Sequence, residues 1–157
     1  MKITRILPIV ALTAAAPVSA QQANQKHEGT VVTPQEVKWA PAPASVPKGA
    51  EIAVLYGDPT KTGPFAMRLR FPANYKLPSH THPADEVVTV MSGTFKLGHG
   101  AQADKGKTQA LPAGSFFAFP PGEQHYAFFD EATVVQINTI GPWGITYVNA
   151  ADDPRKQ

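Results

Sequence analysis

Short strand-like segments separated by glycine and proline fill the chain from residue 51 to residue 149. In the segment from Phe65 to Phe71, apolar residues alternate with smaller or charged ones, which is the period of a strand with one buried face. Turn signals such as Gly57-Asp58-Pro59 and Pro120-Pro121-Gly122 end these segments. Eight or more short strands at this spacing predict an all-β fold, either a sandwich or a barrel.

The length and composition of the chain agree with one folded domain. At 157 residues, of which 43% are hydrophobic, the chain is long enough to bury a substantial core. It contains no cysteine, which excludes disulfides, thiolate zinc sites, iron–sulfur clusters and thiol nucleophiles. The sequence also lacks a Gly-x-Ser-x-Gly elbow, a phosphate-binding loop and a dinucleotide-binding fingerprint.

Residues 1–20 have the three parts of a secretory signal peptide. A short basic region with Lys2 and Arg5 precedes an apolar segment, Ile6 to Pro17, that is too short to span a bilayer as a helix. The run Val18-Ser19-Ala20 predicts cleavage after Ala20, with an uncleaved anchor or a buried N-terminal helix as the alternative. We therefore expect a periplasmic or secreted protein that has no membrane segment after cleavage.

The chain that remains after cleavage has balanced charges. Lys2 and Arg5 are two of the 14 basic residues, so their removal leaves 12, equal to the 12 acidic residues. Such a chain has no basic field to attract nucleic acid or an anionic membrane. We expect a small-molecule ligand or substrate as its partner, and no nucleic acid.

The remaining sequence divides into an N-terminal arm (21–48), a β-barrel domain (49–150) and a C-terminal tail (151–157). In the arm, Thr30 to Val32 is expected to form a first short strand. Three prolines exclude the segment from Ala40 to Pro47 as a central strand. The region from Thr30 to Pro47 could pair with an edge strand of a second copy, which would give a homodimer, or fold over its own barrel.

Two histidines and a glutamate lie close together near the middle of the chain. His80 and His82 are one residue apart, so on a strand their side chains project from the same face. Glu86 follows four residues later, whereas its neighbour Asp85 points to the opposite face and is expected to be exposed. Two imidazoles and a carboxylate at this spacing indicate a metal ion with nitrogen and oxygen ligands.

His125, which follows the turn at residues 120–122, is the candidate for the missing ligand. The run from His80 to Gly93 reads His-x-His-x-x-x-Glu, six residues and Gly, and resembles the first cupin motif. The run from Gly114 to His125 reads Gly, five residues and Pro-x-Gly-x-x-His, and resembles the second. The resemblance to the cupin family covers residues 49–149.

This resemblance implies a double-stranded jelly-roll barrel with a metal near one end of its interior. The ligands that it implies are His80, His82, Glu86 and His125. They would hold a divalent transition metal, with Fe or Mn favoured and Ni, Co, Cu or Zn left open. The second cupin motif often has an asparagine where this chain has Phe129. An apolar residue there suggests a drier or more closely packed barrel mouth.

Strand parity also predicts which residues lie behind the metal ligands. In the segment from Thr133 to Thr139, either the even-numbered residues, including Gln136 and Asn138, or the odd-numbered Val135 and Ile137 face inward. In the first case, Gln136 and Asn138 are the polar candidates to support the site, Gln136 by hydrogen-bonding a substrate or a metal-bound water. The sequence leaves both cases open.

Other conspicuous side chains are interpreted as structural. His27 and His99 are expected to be solvated, and Trp143 and Tyr147 to contribute packing rather than chemistry. Glu123, beside the turn before His125, is a less favoured candidate for an acid or base.

For function, the resemblance implies either a small metalloenzyme or a binding protein. Cupins of this size include dioxygenases, isomerases, lyases and oxalate-metabolising enzymes, and the fold does not choose among them. A dioxygenase acting on a small organic substrate is the leading hypothesis. A metal-dependent isomerase or lyase, and a non-catalytic periplasmic protein that binds or senses a metal or small ligand, are the alternatives.

Overall fold

The computed structural model describes residues 29–157, which fold into two facing β-sheets. The signal peptide predicted for residues 1–20, and His27, lie outside this range. The strands of the described residues are β1 (Ala40–Pro41), β2 (Glu51–Tyr56), β3 (Gly63–Phe71), β4 (Tyr75–Thr81), β5 (Glu86–Ser92), β6 (Thr94–His99), β7 (Gln109–Pro112), β8 (Phe116–Phe119), β9 (His125–Phe129), β10 (Thr133–Gly141) and β11 (Thr146–Tyr147). Short 3-10 helices lie at Pro34–Glu36, Lys105–Lys107, Ala150–Asp152 and Pro154–Lys156.

The sheets are antiparallel, and each combines strands from distant parts of the chain. One sheet has six strands in the order β1-β2-β3-β10-β5-β8, and the other has five in the order β11-β4-β9-β6-β7. Two sheets with these long-range connections make a jelly roll, so the all-β jelly-roll prediction is confirmed. Within the described residues, the two sheets are hydrogen-bonded separately and do not close into one continuous barrel.

The alternating pattern of β3 explains how this strand is placed. Phe65, Met67, Leu69 and Phe71 are all buried, whereas Arg68 and Arg70 lie on the outer face. The Arg70 guanidinium pairs with Glu51 on β2 at 2.6 Å. β3 thus presents one face to the core and keeps its charges outside, as its sequence predicts.

An aromatic cluster fills one end of the space between the sheets. The Phe129 ring stacks on Phe71, with centroids 4.2 Å apart, and meets Phe95 edge-on at 5.1 Å. Tyr75 completes the cluster, 5.4 Å from Phe71. Phe129 is four residues along β9 from His125, or about 13 Å at the rise of a strand, so this close packing belongs to the core and not to the metal end.

The N-terminal arm folds over its own domain. Its two-residue strand β1 pairs with β2, where Ala40 opposes Ile52. Two tyrosines hold the following loop, because the Tyr147 hydroxyl donates to the Ser45 carbonyl at 2.9 Å and the Tyr75 hydroxyl donates to the Pro47 carbonyl at 2.5 Å. These bonds place Val46 over the interior of the fold.

The first strand predicted in the arm is absent. Residues Thr30 to Val32 form no strand, and the chain turns instead into the 3-10 helix that starts at Pro34. The Glu36 carboxylate accepts a hydrogen bond from the Thr33 N–H at 2.8 Å, and this local bond fixes the turn. In the part of the chain that the structure describes, no helix has the length and apolar character needed to cross a membrane.

A glycine permits the tight connection between β5 and β6. Gly93 has a φ of +72°, a conformation that other residues rarely adopt. A Cβ at this position would lie 2.5 Å from the Ala132 carbonyl oxygen. The turn between β5 and β6 therefore requires glycine at position 93.

Candidate metal centre

Three histidines meet at one end of the five-stranded sheet. His80 lies on β4 and pairs across the sheet with His125, the first residue of β9, while His82 follows directly after β4. The His80 ring centroid lies 4.9 Å from that of His82 and 4.3 Å from that of His125. One nitrogen from each ring can be chosen so that all three nitrogens lie within 4.8 Å of one another. All three side chains are buried.

A β-bulge aims the first two histidines inward. The register between β4 and β9 shifts between Leu77 and His80, so β4 gains a residue relative to its partner. Without that shift, Ser79 would take the inward position that follows Leu77. Ser79 is instead held by a 2.6 Å hydrogen bond from its hydroxyl to the Gly100 carbonyl. The bulge therefore places the His80 and His82 side chains in the interior.

Backbone carbonyls fix the orientation of each imidazole. The Nδ1 atoms of His80, His82 and His125 lie 2.7, 2.6 and 3.0 Å from the carbonyl oxygens of Pro78, Gly144 and Glu123, respectively. Because a carbonyl only accepts, each Nδ1 carries the proton in the neutral imidazole, and each Nε2 keeps its lone pair. This is the arrangement in which a histidine binds a metal through Nε2.

Glu86 faces the cluster from the opposite sheet. It is the first residue of β5, and its carboxylate oxygens lie 3.4 Å from His82 Nε2 and 3.0 Å from His125 Nε2. His82 Nε2 is buried and has no hydrogen-bond partner among the described residues, and the buried Glu86 Oε2 is the oxygen that contacts His125 Nε2. The nitrogens of the three imidazoles thus lie within reach of one cation, and the Glu86 carboxylate lies beside two of them.

The electrostatics of the cluster follow from burial and from Glu86. Burial, with help from the neighbouring His125 and His82 rings, lowers the pKa of His80 to about 3. Burial alone would lower the pKa of His125 and raise that of Glu86, but contact between the two reverses both directions. The pKa of His125 is raised and that of Glu86 is lowered. The carboxylate therefore stays anionic beside the imidazoles, which is the form that a metal requires.

The chamber in front of the cluster is small and mostly apolar. Its volume is about 20 Å3, close to the space that one water molecule or one ion occupies. Apart from the three histidines and Glu86, its walls are aliphatic and aromatic side chains. Trp143 closes one side, with its ring stacked on that of His82 at a centroid distance of 4.3 Å and an interplanar angle of 16°.

The family model for the ChrR cupin-like domain matches residues 27–143, which cover most of the arm, both motifs and all four candidate ligands. The chain belongs to the cupin superfamily. The resemblance inferred from the two motifs is thereby confirmed. Of the site residues discussed above, only the carbonyl of Gly144 lies outside the matched range.

Known cupins resemble this chain over different lengths. Germin-like protein 5-1 of Oryza sativa subsp. japonica is 37% identical over 83 residues, which are 52% of this cupin and 37% of the plant protein. This cupin thus matches well under half the length of that relative. The polyketide cyclase RemF of Streptomyces resistomycificus has a similar fold, with a TM-score of 0.65 at 18% identity, covering 82% of this chain and 92% of RemF.

A third relative is known from its structure. A protein of Methylibium petroleiphilum that is provisionally assigned as an acetylacetone dioxygenase gives a TM-score of 0.62 at 19% identity, covering 82% of this chain and 87% of the other. At such identities, the two structural relatives establish the fold of this cupin and leave its chemistry open.

The donor set of this cupin fits a divalent transition metal. Three imidazole nitrogens and one carboxylate oxygen are borderline ligands that suit Mn, Fe, Ni, Co, Cu or Zn. The unpartnered, buried His82 Nε2 is the observation that favours a cation over a simple hydrogen-bonded cluster. The structure therefore brings the three predicted histidines together, with Glu86 in contact with His82 and His125.

The polar residues expected behind the ligands are placed elsewhere. Val135 and Ile137 are the inward residues of β10, while Gln136 is half-buried on the outer face and Asn138 is exposed. Gln136 accepts a hydrogen bond from Arg68 at 2.9 Å, on the side of the sheet away from the metal site. Of the two parities that the sequence leaves open, β10 therefore has the one with Val135 and Ile137 inward, and Gln136 and Asn138 do not lie behind the ligands.

Two other predictions are confirmed, and one residue has a role at the site that its sequence does not indicate. Asp85 and His99 are exposed, as expected. Trp143 does more than fill space, because its ring lies directly against His82. The carbonyl of the next residue, Gly144, orients the His82 imidazole. The run Gly141-Pro142-Trp143-Gly144 has the composition of an ordinary loop, and its sequence does not indicate that the loop packs against His82.

Proposed function

We propose that this cupin is a metalloenzyme whose divalent transition metal is held by His80, His82, His125 and Glu86. The observation that carries the proposal is the set of Nδ1–carbonyl bonds, which leave three Nε2 lone pairs free beside a buried carboxylate. Iron or manganese is the favoured metal, because the oxygenation proposed below needs a redox-active metal, while the donor set itself also suits Ni, Co, Cu and Zn.

The favoured reaction is oxygenation of a small organic substrate. A redox-active metal would supply the site for dioxygen activation, and a Lewis-acid metal would support isomerisation or elimination instead. The acetylacetone dioxygenase assignment of the Methylibium petroleiphilum protein supports dioxygen activation. The polyketide cyclase RemF has a similar fold and a different reaction, so the fold alone does not select the chemistry.

The residues around the cluster have defined tasks in such a reaction. Glu86 is the one acid or base that the described residues place beside the imidazoles, and its depressed pKa keeps it anionic. Trp143 and Val46 cover the chamber and exclude bulk water from it. Exclusion of water strengthens every charge interaction inside the chamber.

A non-catalytic metal-binding or ligand-sensing cupin is the second candidate. The small volume of the chamber and its lack of a second acid or base favour it, because a substrate needs room and a place to exchange protons. In that case the protein would bind metal and ligand without turnover.

Oxygen uptake separates these functions. Protein loaded with Fe²⁺ or Mn²⁺ is mixed with a panel of phenols, keto acids and β-diketones in an oxygen-electrode cell. Substrate-dependent oxygen consumption that is absent from His125→Ala and retained by His99→Ala supports the enzyme. Metal-loaded protein that consumes no oxygen with any member of the panel contradicts the oxygenase assignment and favours the second candidate.

We also propose export of this cupin and cleavage after Ala20. The supporting pattern is the basic, apolar and small-residue order of residues 1–20. N-terminal sequencing of protein from the periplasm or culture medium, with Gln21 as the expected first residue, tests it. The arm pairs with β2 of its own chain, which favours an arm folded over its own barrel over a homodimer formed through the arm. Sedimentation at several protein concentrations tests the oligomeric state.

A further inference from the structure

A second and larger cavity adjoins the metal chamber. Its volume is about 420 Å3, and it lies beneath the arm, between β2, β3 and the loop that carries Trp143. This volume falls within the usual range for pockets that bind small organic molecules. Both spaces share part of their walls, namely Val46, Leu69, Trp143 and Ile145. Single side chains therefore separate the larger cavity from the metal chamber.

The chemistry of the cavity walls restricts what binds there. Most of the lining is aliphatic or aromatic, and it includes no basic residue. Asp58 is the one charged residue of the lining, and its carboxylate is already engaged by the Thr60 hydroxyl at 2.7 Å and by Lys61 Nζ at 3.2 Å. An anionic ligand would find no counter-charge in these walls, and a cationic ligand would compete with Lys61 for Asp58.

We propose that this cavity binds a neutral, mainly apolar small molecule and that Trp143 is the residue through which the bound molecule contacts the metal centre. In one respect the proposal rests on the proposed function, because it takes that molecule to be the substrate. The indole of Trp143 lines the cavity and stacks on His82, so a ligand against Trp143 is one ring away from a metal ligand. The buried indole Nε1 has no hydrogen-bond partner among the described residues.

Trp143 and Val46 then determine the size of the molecule that reaches the metal. Val46 is held by the Tyr75 and Tyr147 hydrogen bonds to its neighbours, so the arm forms a defined wall. A small flat ketone or phenol would fit against the indole. Trp143 is thus a positioning residue for the substrate, while the imidazoles and Glu86 hold the metal.

The two indole N–H groups of the chain provide the test. The chain has two tryptophans, and Trp39 lies elsewhere, 4.5 Å from the Arg70 guanidinium carbon. Acetophenone is titrated into 15N-labelled protein, and Trp39→Phe assigns the two indole signals. We expect a saturable shift of the Trp143 indole signal and no shift for Trp39. Benzoate, which has a similar size and a negative charge, is expected to bind at least about tenfold more weakly.

A matched pair of valine substitutions locates the site. Val54 lines the cavity and is 49% exposed, so Val54→Lys is compatible with folding and places a charge at the cavity edge. We expect it to weaken acetophenone binding at least about fivefold. Val148 is 37% exposed and does not line the cavity, so Val148→Lys should leave the affinity unchanged.

Three results would overturn the proposal: equal affinity for Val54→Lys and wild type, equal binding of benzoate and acetophenone, or no saturable shift of Trp143. The titration is repeated after addition of Zn²⁺. If the protein binds acetophenone but takes up no Zn²⁺, the metal-site assignment is refuted and the ligand-binding role of the cavity is supported. If the protein takes up Zn²⁺ but does not bind acetophenone, the ligand-binding role of the cavity is refuted and the metal-site assignment is supported.

Discussion

The indole of Trp143 lies flat on the imidazole of His82, with 4.3 Å between ring centroids and 16° between ring planes. The carbonyl oxygen of Gly144, the residue after Trp143, also accepts a hydrogen bond from the His82 Nδ1–H, with 2.6 Å between the nitrogen and the oxygen. One short loop therefore fixes both the plane and the tautomer of a candidate metal ligand. This contact links the loop between β10 and β11 to the motif on β4, two segments about 60 residues apart along the chain.

Removal of this stack should weaken the metal site without abolishing it. Stacked aromatic pairs contribute about 0.5–1.5 kcal/mol, so we expect Trp143→Leu to raise the metal dissociation constant by up to about tenfold. Trp143→Phe keeps a ring on His82 and should lie between Leu and wild type. Competition with a chromophoric chelator measures the constants. Trp39→Phe is the control, and an equal effect of Trp39→Phe and Trp143→Leu would refute a specific role of the stack.

The aromatic cluster around Phe129 should not tolerate the asparagine that is common in other cupins. Phe129→Asn would replace a ring that contacts Phe71 and Phe95 by an amide, and the new polar group would be buried among rings. We expect a loss of about 3–5 kcal/mol in the free energy of unfolding, measured by urea denaturation. Phe116 is 62% exposed, so Phe116→Asn should change the value by less than about 0.5 kcal/mol. Comparable losses for the two variants would contradict this packing.

The metal-free protein should lose stability in acid through His80. Its folded pKa of about 3 lies below the ordinary value of 6.5, so between these values the unfolded chain binds a proton that the folded chain does not. Stability from this group is complete above pH 6.5 and falls as the pH drops toward 3. Near pH 4.5, the free energy of unfolding of the wild type should fall with decreasing pH by up to about 1.4 kcal/mol per pH unit more than that of His80→Gln.

Urea denaturation in the presence of a chelator, from pH 7 to pH 4.5, measures the His80 effect. His99→Gln serves as the control, because His99 is exposed at the end of β6. The same pH slope for wild type and His80→Gln would show that His80 is not held neutral in the folded state.

The two tyrosine hydroxyls should hold the arm locally. Each bond contributes about 1 kcal/mol, so the double variant Tyr75→Phe, Tyr147→Phe should speed amide exchange of the Val46 N–H, which donates to Pro43. The Gly100 N–H, which donates to Gln124, lies outside the arm and should keep its rate. Hydrogen exchange followed by NMR gives both rates. Unchanged exchange at Val46 would mean that the arm is held by packing alone.

The fold class follows from local sequence patterns, whereas the set of four candidate ligands follows from the resemblance to the two cupin motifs. The alternation in β3 fixes which face is buried, and the spacing from His80 to Glu86 places ligands on two consecutive strands. The turn before His125 places that residue at the start of β9. The meeting of His125 with His80 depends on the pairing of β9 with β4, which local patterns do not show and the cupin resemblance supplies.

The remaining features depend on long-range packing. The parity of β10 follows from its pairing with β3, where Gln136 opposes Arg68 and Ile137 opposes Met67, and its own sequence is apolar enough on both faces to fit either choice. The bulge before His80 and the stack of Trp143 on His82 likewise depend on partners far along the chain. In the arm, a local Thr33–Glu36 bond outweighs the strand propensity of Val31 and Val32.

The metal content of the purified protein tests the central claim most directly. Elemental analysis is carried out on wild type, His82→Ala, His125→Ala and His99→Ala, all expressed and purified in parallel. The wild type and His99→Ala should each hold about one divalent transition metal ion per chain, and the two cluster variants less than about a tenth of that. Equal metal content in all four proteins, or no metal in a wild type supplied with Fe²⁺, Mn²⁺ or Zn²⁺, would contradict the assignment.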